Sequence, residues 1–465
     1  MHPGEYATHL EEKWRTAVAD NEESLQRFWD RFRGKGREVG FGESLLAILR
    51  SSYLNVLFVF FPIAWASHWV PWHTGITFAL CFVAIIPMEK MFDYGGEQMA
   101  YYLGKDLGDL VVVTLNNAVE ATLAIILLLK CEIKILQSTI AGVVLLHLLL
   151  IPGTAFLTGG ARIWEQNLHP HPTQLNHSLL TIGVLTLLLP TAFFSSINRG
   201  TASESIVSDD LRHTFLQMSR GLAIILLLVY IASRIYLHNP PGEDNALRVA
   251  HNAPEEVLHE EHHLQTSRPE VNVWCCIALL LIIIAIMAVT AEMLVESIEF
   301  VREEAGIQEE WFGLVLLPIV SFSADGTVAI VFFLRYMLKM FLGTPSPPAT
   351  LAKARAIDLS IQFTLFWMPF LVLLGWWTGK PLTLLFDMFE VALLIGACFL
   401  VNYVTADAKT NWVEGCIMMA FYVMIALCSW FYTGEPQIEE MVRCESVAAA
   451  TESTGTSEIV ARLLR

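Results

Sequence analysis

The chain has 465 residues, an apolar share of 54 % and a mean hydropathy of +0.51, which is too high for an ordinary soluble domain. Its formal net charge is −17 at pH 7, and this acidic balance argues against nucleic acid as a partner, because phosphate binding needs Lys and Arg. About eleven apolar stretches recur along the chain, each long enough to cross a bilayer as a helix. We therefore predict an all-α polytopic membrane protein.

The N-terminal arm, residues 1–45, is polar and charged, so no cleavable signal peptide is expected there. The loop after the first apolar stretch, residues 68–74, has no Lys or Arg. The positive-inside rule therefore predicts a cytosolic N-terminus, and eleven crossings would place the C-terminus on the opposite side. The basic residues of the arm are Lys13, Arg15, Arg27, Arg31, Arg33, Lys35 and Arg37.

The rest of the chain divides into two apolar arrays around an acidic linker. Residues 46–237 hold the first helix and a first repeat, and residues 272–433 hold a second repeat. The linker, 238–271, contains five histidines and is interpreted as a solvated cytosolic loop, while 434–465 form a polar tail. Setting the first helix aside leaves five helices per half, an odd number that forces the two copies into opposite orientations. Such inverted repeats place the substrate site at the midplane between them.

Each half carries one acidic residue deep inside an apolar stretch. Glu120 lies within residues 110–129 and Asp325 within residues 314–333. A carboxylate at that depth costs roughly 2.5–3.5 kcal/mol, and such residues usually mark ion pathways or proton relays. We therefore predict that Glu120 and Asp325 form a cation and proton site.

Further oxygen donors accompany the two acids. Asn116 and Asn117 lie about one helical turn before Glu120, and carboxylate and amide oxygens suit a hard cation. The alternative is a polar patch that holds helices together. Ser321 lies one turn before Asp325, and Gln362 adds an amide in the second half; we predict both as auxiliary ligands.

Two more acids occupy positions that correspond in the two halves. Glu97 and Glu292 each precede a mid-membrane acid, and we interpret them as a proton relay or gate, or as plain interfacial residues. A lone His147 in apolar surroundings is interpreted as a structural group. Most of the eight cysteines lie in or beside apolar stretches without metal-ligand spacing, so we interpret them as small apolar residues.

Two carboxylates around one site suit exchange without covalent chemistry. With a cation bound both are ionised, and with the cation gone they repel each other and bind protons instead. The predicted protein is a transporter and not an enzyme, it needs no cofactor, and its partners are the transported cation, H⁺ and the bilayer. The oligomeric state stays open.

The motifs resemble those of the Ca²⁺/H⁺ exchanger, or CAX, family of the Ca²⁺/cation antiporter superfamily. Residues 115–120 are similar to its first acidic repeat, Phe-Gly-Asn-Ala-x-Glu, and Ala291-Glu292-x-Leu-Val to its seventh helix. Asn411-Trp412-x-Glu414-Gly415 is similar to its last loop and helix, and 52–57 to its first helix. The resemblance implies eleven helices, a vacuolar or other organellar membrane, and export of Ca²⁺ from the cytosol driven by an acidic lumen.

The chain departs from the family pattern in its second acidic repeat. The family's Gly-Asn-Ala-Ala-Glu-His stands here as Ser321-Phe322-Ser323-Ala324-Asp325-Gly326, so an amide and an imidazole are missing. The main hypothesis is a cation/H⁺ antiporter for Ca²⁺, but because Ca²⁺ takes six to eight oxygen ligands, the missing groups keep two alternatives open. One is an antiporter for Na⁺, K⁺ or Mn²⁺, and the other is a transport-inactive regulatory paralogue.

Overall fold

The computed structural model describes residues 39–320 and 355–444, except 71, 104, 161–165, 169, 199–206 and 239–268, together with positions 322, 323, 326, 331, 334 and 338. Four predicted features lie wholly or mostly outside the described residues. They are the N-terminal arm, the acidic linker, the tail beyond residue 444, and the pair Ser321 and Asp325.

The first half is helical throughout most of its described length. Its helices are α1 (Phe41–Arg50), α2 (Phe60–Trp69), α3 (Thr74–Leu103), α4 (Lys105–Asn116), α5 (Ala118–Lys130), α6 (Ile133–Leu145), α7 (Ile151–Gly160), α8 (Pro170–Asn198) and α9 (Asp209–Leu237). A 3₁₀ segment, Tyr53–Val59, leads into α2, and a π turn, Leu146–Leu150, joins α6 to α7.

The second half is also mainly helical in its described part. Its helices are α10 (Val273–Ala305), α11 (Glu309–Trp311), α12 (Arg355–Gln362), α13 (Met368–Thr378), α14 (Met388–Val404), α15 (Trp412–Ser429) and α16 (Pro436–Val442). Two π turns interrupt it, Phe312–Leu316 after α11 and Phe363–Trp367 between α12 and α13. Helix α16 lies in the predicted polar tail, where its side chains Ile438, Met441 and Val442 are buried.

Among the described residues, seven helical spans are long and apolar enough to cross a membrane. Two bent helix pairs raise the number to nine if each pair counts as one span, and α14 is a shorter apolar helix. The residues between α11 and α12 include most of another predicted span and are largely outside the described part. The predicted all-α polytopic fold is confirmed, and the spans are in keeping with eleven crossings.

Corresponding helices of the two halves share an interruption. The π turn Leu146–Leu150 is followed two residues later by Pro152, and the π turn Phe363–Trp367 is followed two residues later by Pro369. Proline lacks the N–H that would continue the helical ladder, and π turns in helices often occur at functional sites. The same order recurs in the eighth predicted span, where Pro318 follows the π turn Phe312–Leu316, so it is not specific to the fourth and ninth spans.

Helix α6 lies at the centre of the molecule, because every residue of Ile133–Leu145 is buried. Two glycines let its backbone approach the π turn after α11. A side chain at Gly142 would collide with the carbonyl of Leu314 and with Pro318, and one at Gly313 would collide with Ser138. The two halves therefore meet in direct backbone contact along α6, beside the region that holds Glu120.

Two links tie distant parts of the chain together at opposite ends of the predicted spans. The strand β1 (Gln166–Asn167) pairs antiparallel with β2 (Lys409–Thr410). A disulfide joins Cys131, just after α5, to Cys444, just after α16. The sequence interpretation of small apolar residues concerned the other six cysteines and did not foresee this pair. The fold brings together residues 313 positions apart.

Candidate functional site

Glu120 lies beside a sharp break between two helices. Helices α4 and α5 meet at 53°, and Asn117 stands between them with φ −96° and ψ 8°. Glu120 is in the first turn of α5, where the free N–H groups of a helix stabilise negative charge. Glu120 is only 4 % exposed to solvent. Transporters use such broken helices to point a helix end at a charged substrate.

A small enclosed cavity surrounds Glu120. Its volume is about 10 Å³, close to the smallest space that holds one water molecule. The lining comes from both halves of the chain: Ile85, Val119, Glu120, Leu123, Thr139 and Val143 from the first, and Met287, Leu317, Pro318 and Val320 from the second. Glu120 is therefore placed where the two halves meet, in a space suited to a single small ion.

Asn117 connects the break in the first half to the π turn of the second. Its Nδ2 donates to Gln362 Oε1 at 2.8 Å, and Gln362 Nε2 donates in turn to Thr114 Oγ1 at 2.8 Å. Asn117 Oδ1 is buried and has no hydrogen-bond partner among the described residues. The structure thus brings Asn117 and Gln362 together and leaves one buried amide oxygen that can accept a ligand.

His147 contributes an imidazole to the same region. It lies in the π turn after α6, is buried, and its Nε2 is 3.7 Å from Glu120 Oε1. The sequence interpretation of His147 as a structural group did not foresee this contact, because Glu120 is on a different helix and the distance depends on how α5 and α6 pack.

Three further predicted site residues, Asn116, Glu97 and Glu292, have the following surroundings. With its amide oriented to satisfy both neighbours, Asn116 donates to the Val112 carbonyl at 2.8 Å and to Asp93 Oδ1 at 3.2 Å. Glu97 is exposed on α3. Glu292 is about half exposed and pairs with Lys130 at 2.7 Å, together with Glu296 at 2.8 Å from the same ammonium. Ser321 and Asp325 follow Val320 in sequence and lie outside the described residues.

A second group of buried charges was missed by the sequence interpretation. Lys134 Nζ lies 2.9 Å from Asp387 Oδ2, and Ser138 Oγ donates to Glu390 Oε1 at 2.6 Å. The signal was present, because Asp387 and Glu390 fall inside an apolar stretch, residues 382–401, just as Glu120 does. Glu435, in the loop beyond α15, borders this group, and burial, with Asp387 close by, raises the pKa of its carboxyl.

No group of three or more His, Cys, Asp or Glu side chains among the described residues is arranged to hold a metal ion.

Sequence comparison adds a decisive observation. The model of the family described as sodium/calcium exchanger protein matches residues 51–237 and 276–431. The chain belongs to this family. The match is interrupted at 238–275, which includes the acidic linker.

Several characterised relatives resemble the exchanger along most of its length. A vacuolar calcium ion transporter of Cryptococcus neoformans is 30 % identical, covering 90 % of this chain and 79 % of its own. One of Schizosaccharomyces pombe is 32 % identical over 83 % of this chain and 86 % of its own. A Ca²⁺/H⁺ antiporter of Synechocystis is 30 % identical over 82 % of this chain and 98 % of its own. The predicted resemblance to the Ca²⁺/H⁺ exchangers is confirmed.

Solved structures share the fold. Native YfkE superposes with a TM-score of 0.61 at 21 % identity, covering 82 % of this chain and 100 % of that one. The H⁺/Ca²⁺ exchanger CAX gives a TM-score of 0.55 at 15 % identity, over 86 % of this chain and 96 % of that one. At such identities the likeness concerns the architecture alone.

Proposed function

We propose that the protein is a cation/proton antiporter that moves Ca²⁺ out of the cytosol into an acidic organelle in exchange for H⁺. Two relatives from fungi are vacuolar calcium ion transporters and one from a cyanobacterium is a Ca²⁺/H⁺ antiporter. The chain covers between 79 % and 98 % of those relatives, so the proposal concerns a whole exchanger unit.

The observation that carries the proposal is the position of Glu120. It is a buried carboxylate at a helix N-terminus, beside a cavity that both halves of the chain line. An ionised carboxylate there needs a positive partner, because an isolated buried charge is costly. A transported cation and a proton are two partners that can replace each other.

The proposed cycle is competition at this one site. When Ca²⁺ occupies the cavity, the Glu120 carboxylate and the free Asn117 oxygen supply ligands, and Asp325 supplies the second charge. When Ca²⁺ leaves, protons neutralise the acids, and the site reorients without a bare charge. Asn116, Ser321 and Gln362 act as auxiliary ligands in this proposal, and Gln362 also orients Asn117 through its hydrogen bond.

Glu97 and Glu292 are proposed as outer acids of the pathway. Both are exposed, and Glu292 shares the Lys130 ammonium with Glu296, at the end of the helix that carries Glu120. This arrangement suits a relay or gate that exchanges protons with the surroundings of the membrane helices. The transport cycle involves no covalent step.

The disulfide supports the proposed orientation, with the N-terminus in the cytosol. Disulfides persist in compartments that are not kept reducing, which supports placing the face with Cys131 and Cys444 away from the cytosol. Cys131 follows the third predicted crossing and Cys444 the eleventh, and both numbers are odd. An N-terminus on the opposite, cytosolic face agrees with the seven Lys and Arg residues of the arm. An acidic vacuole-type organelle fits this orientation and the names of the fungal relatives.

The proposal is tested with the purified full-length protein in proteoliposomes. An imposed pH gradient, acidic inside, is expected to drive uptake of radiolabelled Ca²⁺, and added Ca²⁺ is expected to release protons. Glu120→Gln and Asp325→Asn are expected to abolish both fluxes, while Glu303→Gln, at an exposed acid near the end of α10, retains them. Full transport by Glu120→Gln would refute the assigned role, and absence of flux for every cation would favour the inactive paralogue.

One observation favours a second candidate, an antiporter with a different ion preference. His147 places a nitrogen donor 3.7 Å from Glu120, and imidazole is a ligand for transition metals and not for Ca²⁺. Uptake of Ca²⁺ in competition with Mn²⁺, Na⁺ and K⁺ separates the two candidates. Stronger competition by Mn²⁺ than by unlabelled Ca²⁺ would replace Ca²⁺ as the proposed substrate.

A further inference from the structure

A group of buried charged side chains outside the proposed cation site lies at the face that carries the Cys131–Cys444 bond. We call it the disulfide-face cluster; it consists of Lys134, Asp387, Glu390 and Glu310. All four residues are buried, with exposures from 0 to 6 %. Gly434, with a φ of +77°, packs so closely on the Glu310 carboxylate that a side chain at this position would collide with it. The cluster is therefore tightly closed.

Lys134, the one cation of the cluster, forms an ion pair with one of its three acids, Asp387. Lys134 Nζ lies 2.9 Å from Asp387 Oδ2. The same oxygen accepts from the Tyr432 hydroxyl at 3.2 Å and from the Glu435 backbone N–H at 3.3 Å. One ammonium and two hydrogen-bond donors thus surround one carboxylate oxygen of Asp387, so the positive charge of Lys134 is largely balanced by this acid.

Glu390 has a hydrogen-bond donor but no cation of its own. It is 1 % exposed, Oε1 accepts from Ser138, and Oε2 has no hydrogen-bond partner among the described residues. The charged and titratable groups that face it are Lys134 of α6, Asp387 at the start of its own helix, Glu310 of α11 and Tyr432 beyond α15. An ionised Glu390 would thus add a second negative charge beside one shared ammonium, in a region closed to water, which is unfavourable.

We propose that Glu390 is a second proton-binding residue of the exchanger, which takes up H⁺ from the disulfide face at a site separate from Glu120. The proton binds Oε2, while Oε1 keeps its bond from Ser138. The Lys134 ammonium opposes a metal ion at this position, so a proton is the cation that fits. The inference rests on the proposed antiport function, in which the disulfide face is the acidic side.

Helix α6 connects this proton site to the cation site. Ser138 contacts Glu390, the next residue Thr139 lines the cavity at Glu120, and His147 faces Glu120 itself. In this proposal Glu390 binds its own proton, and it acts on the cation site through the position of α6.

The first test compares the pH dependence of transport on each side of the membrane. Full-length protein is reconstituted in proteoliposomes with Ca²⁺ as the probe ion, and the pH on each side is set independently. Glu390→Gln copies the shape of the protonated acid. We expect Ca²⁺ transport to persist, with a response to pH on the disulfide side that is clearly flatter than in the wild type and an unchanged response on the other side.

Glu303→Gln is the matched control, because Glu303 is an exposed acid near the end of α10. It is expected to keep the wild-type pH profile on both sides. If Glu390→Gln also kept the wild-type profile on both sides, the proposed proton site would be overturned.

A second variant keeps the proposal testable if Glu390→Gln does not fold. Ser138→Ala removes the hydroxyl that donates to the ionised carboxylate, so the proton is held more tightly. The midpoint of the pH response on the disulfide side is expected to rise by about one pH unit. Ser297→Ala is the control, because Ser297 is buried but bonds only carbonyls of its own helix. An unchanged or lower midpoint for Ser138→Ala would contradict the proposal.

Infrared spectroscopy separates failure of this inference from failure of the proposed function. A protonated buried carboxylic acid gives its own carbonyl band, which is expected in the wild-type protein and missing in Glu390→Gln. Equal bands in both proteins would overturn the proton site. If wild-type vesicles transport no Ca²⁺ but the band difference is found, the antiport proposal fails and the proton site stands.

Discussion

The two buried acidic regions of the protein differ in what balances their charge. Glu120 borders a cavity lined by both halves and faces His147, whereas Glu390 lies in a closed cluster whose ammonium, Lys134, is part of the fold. A site with space that both halves line suits an ion that comes and goes. A site with a permanent ammonium repels metal cations, so the cation that can still bind there is a proton. Burial alone therefore does not define a cation site; the space and the fixed charge around the acid do.

The difference between the Glu120 and Glu390 regions is tested by measuring Ca²⁺ affinity in a variant that neutralises each acid. Glu120→Gln removes a charged ligand, and we expect its dissociation constant for Ca²⁺ to rise by about 100-fold or more, beyond the effect of losing a supporting residue. Glu390→Gln is expected to stay within about threefold of the wild type, since it touches no ligand. Calorimetric titration in detergent measures both. Equal losses in the two variants would erase the distinction between the regions.

The fixed cation of the disulfide-face cluster is tested by removing it. Lys134→Met leaves Asp387 without its partner at 2.9 Å, and such losses cost about 3–5 kcal/mol in the free energy of unfolding. Lys130→Met is the control, because its pairs with Glu292 and Glu296 are well exposed and are expected to contribute no more than about 1 kcal/mol. Denaturant unfolding in detergent compares the two. Similar effects would show that the cluster does not depend on Lys134.

A smaller effect is expected from the link between the halves at the cation site. Gln362→Leu removes the shortest hydrogen bond of Asn117 Nδ2, which keeps two carbonyls at 3.4 Å, and the bond to Thr114. Each lost bond costs about 0.5–1.5 kcal/mol. We expect a lower unfolding temperature and weaker Ca²⁺ binding together. Gln174→Leu, at an exposed position of α8, should change neither property. Weaker stability with unchanged Ca²⁺ affinity would separate Gln362 from the site.

The smallest expected effect concerns ion preference. His147→Ser removes the nitrogen donor that faces Glu120, and we expect the preference for Mn²⁺ over Ca²⁺ in competition assays to fall by about tenfold, or 1.4 kcal/mol. Thr364→Ser is the control, because Thr364 has the same position in the π turn of the other half and bonds the Ser360 carbonyl. An unchanged preference would make the imidazole a structural group.

The sequence predicted those features that the bilayer itself imposes. Long apolar stretches must become helices in a membrane, so most spans were found where the structure has them. Glu120 was found because an acid inside such a stretch is costly. The same argument applied to Asp387 and Glu390 but was not used there, so the disulfide-face cluster was missed.

Other features depend on contacts that no local pattern contains. The break at Asn117 has neither Pro nor Gly beside it, and it forms where Asn117 bonds a residue 245 positions away. The contact of His147 with Glu120 and the Cys131–Cys444 bond likewise join separate helices. The meeting of Glu120 with Asp325 stays a prediction, since Asp325 lies outside the described residues.

Diffraction from crystals soaked in a Ca²⁺ analogue with anomalous signal shows whether the exchanged cation binds at Glu120 between the two halves. We expect one anomalous peak in the cavity, at about 2.3–2.6 Å from a Glu120 carboxylate oxygen, with Asp325 on its other side, and none in the disulfide-face cluster. A peak beside Glu390 with none beside Glu120 would contradict it.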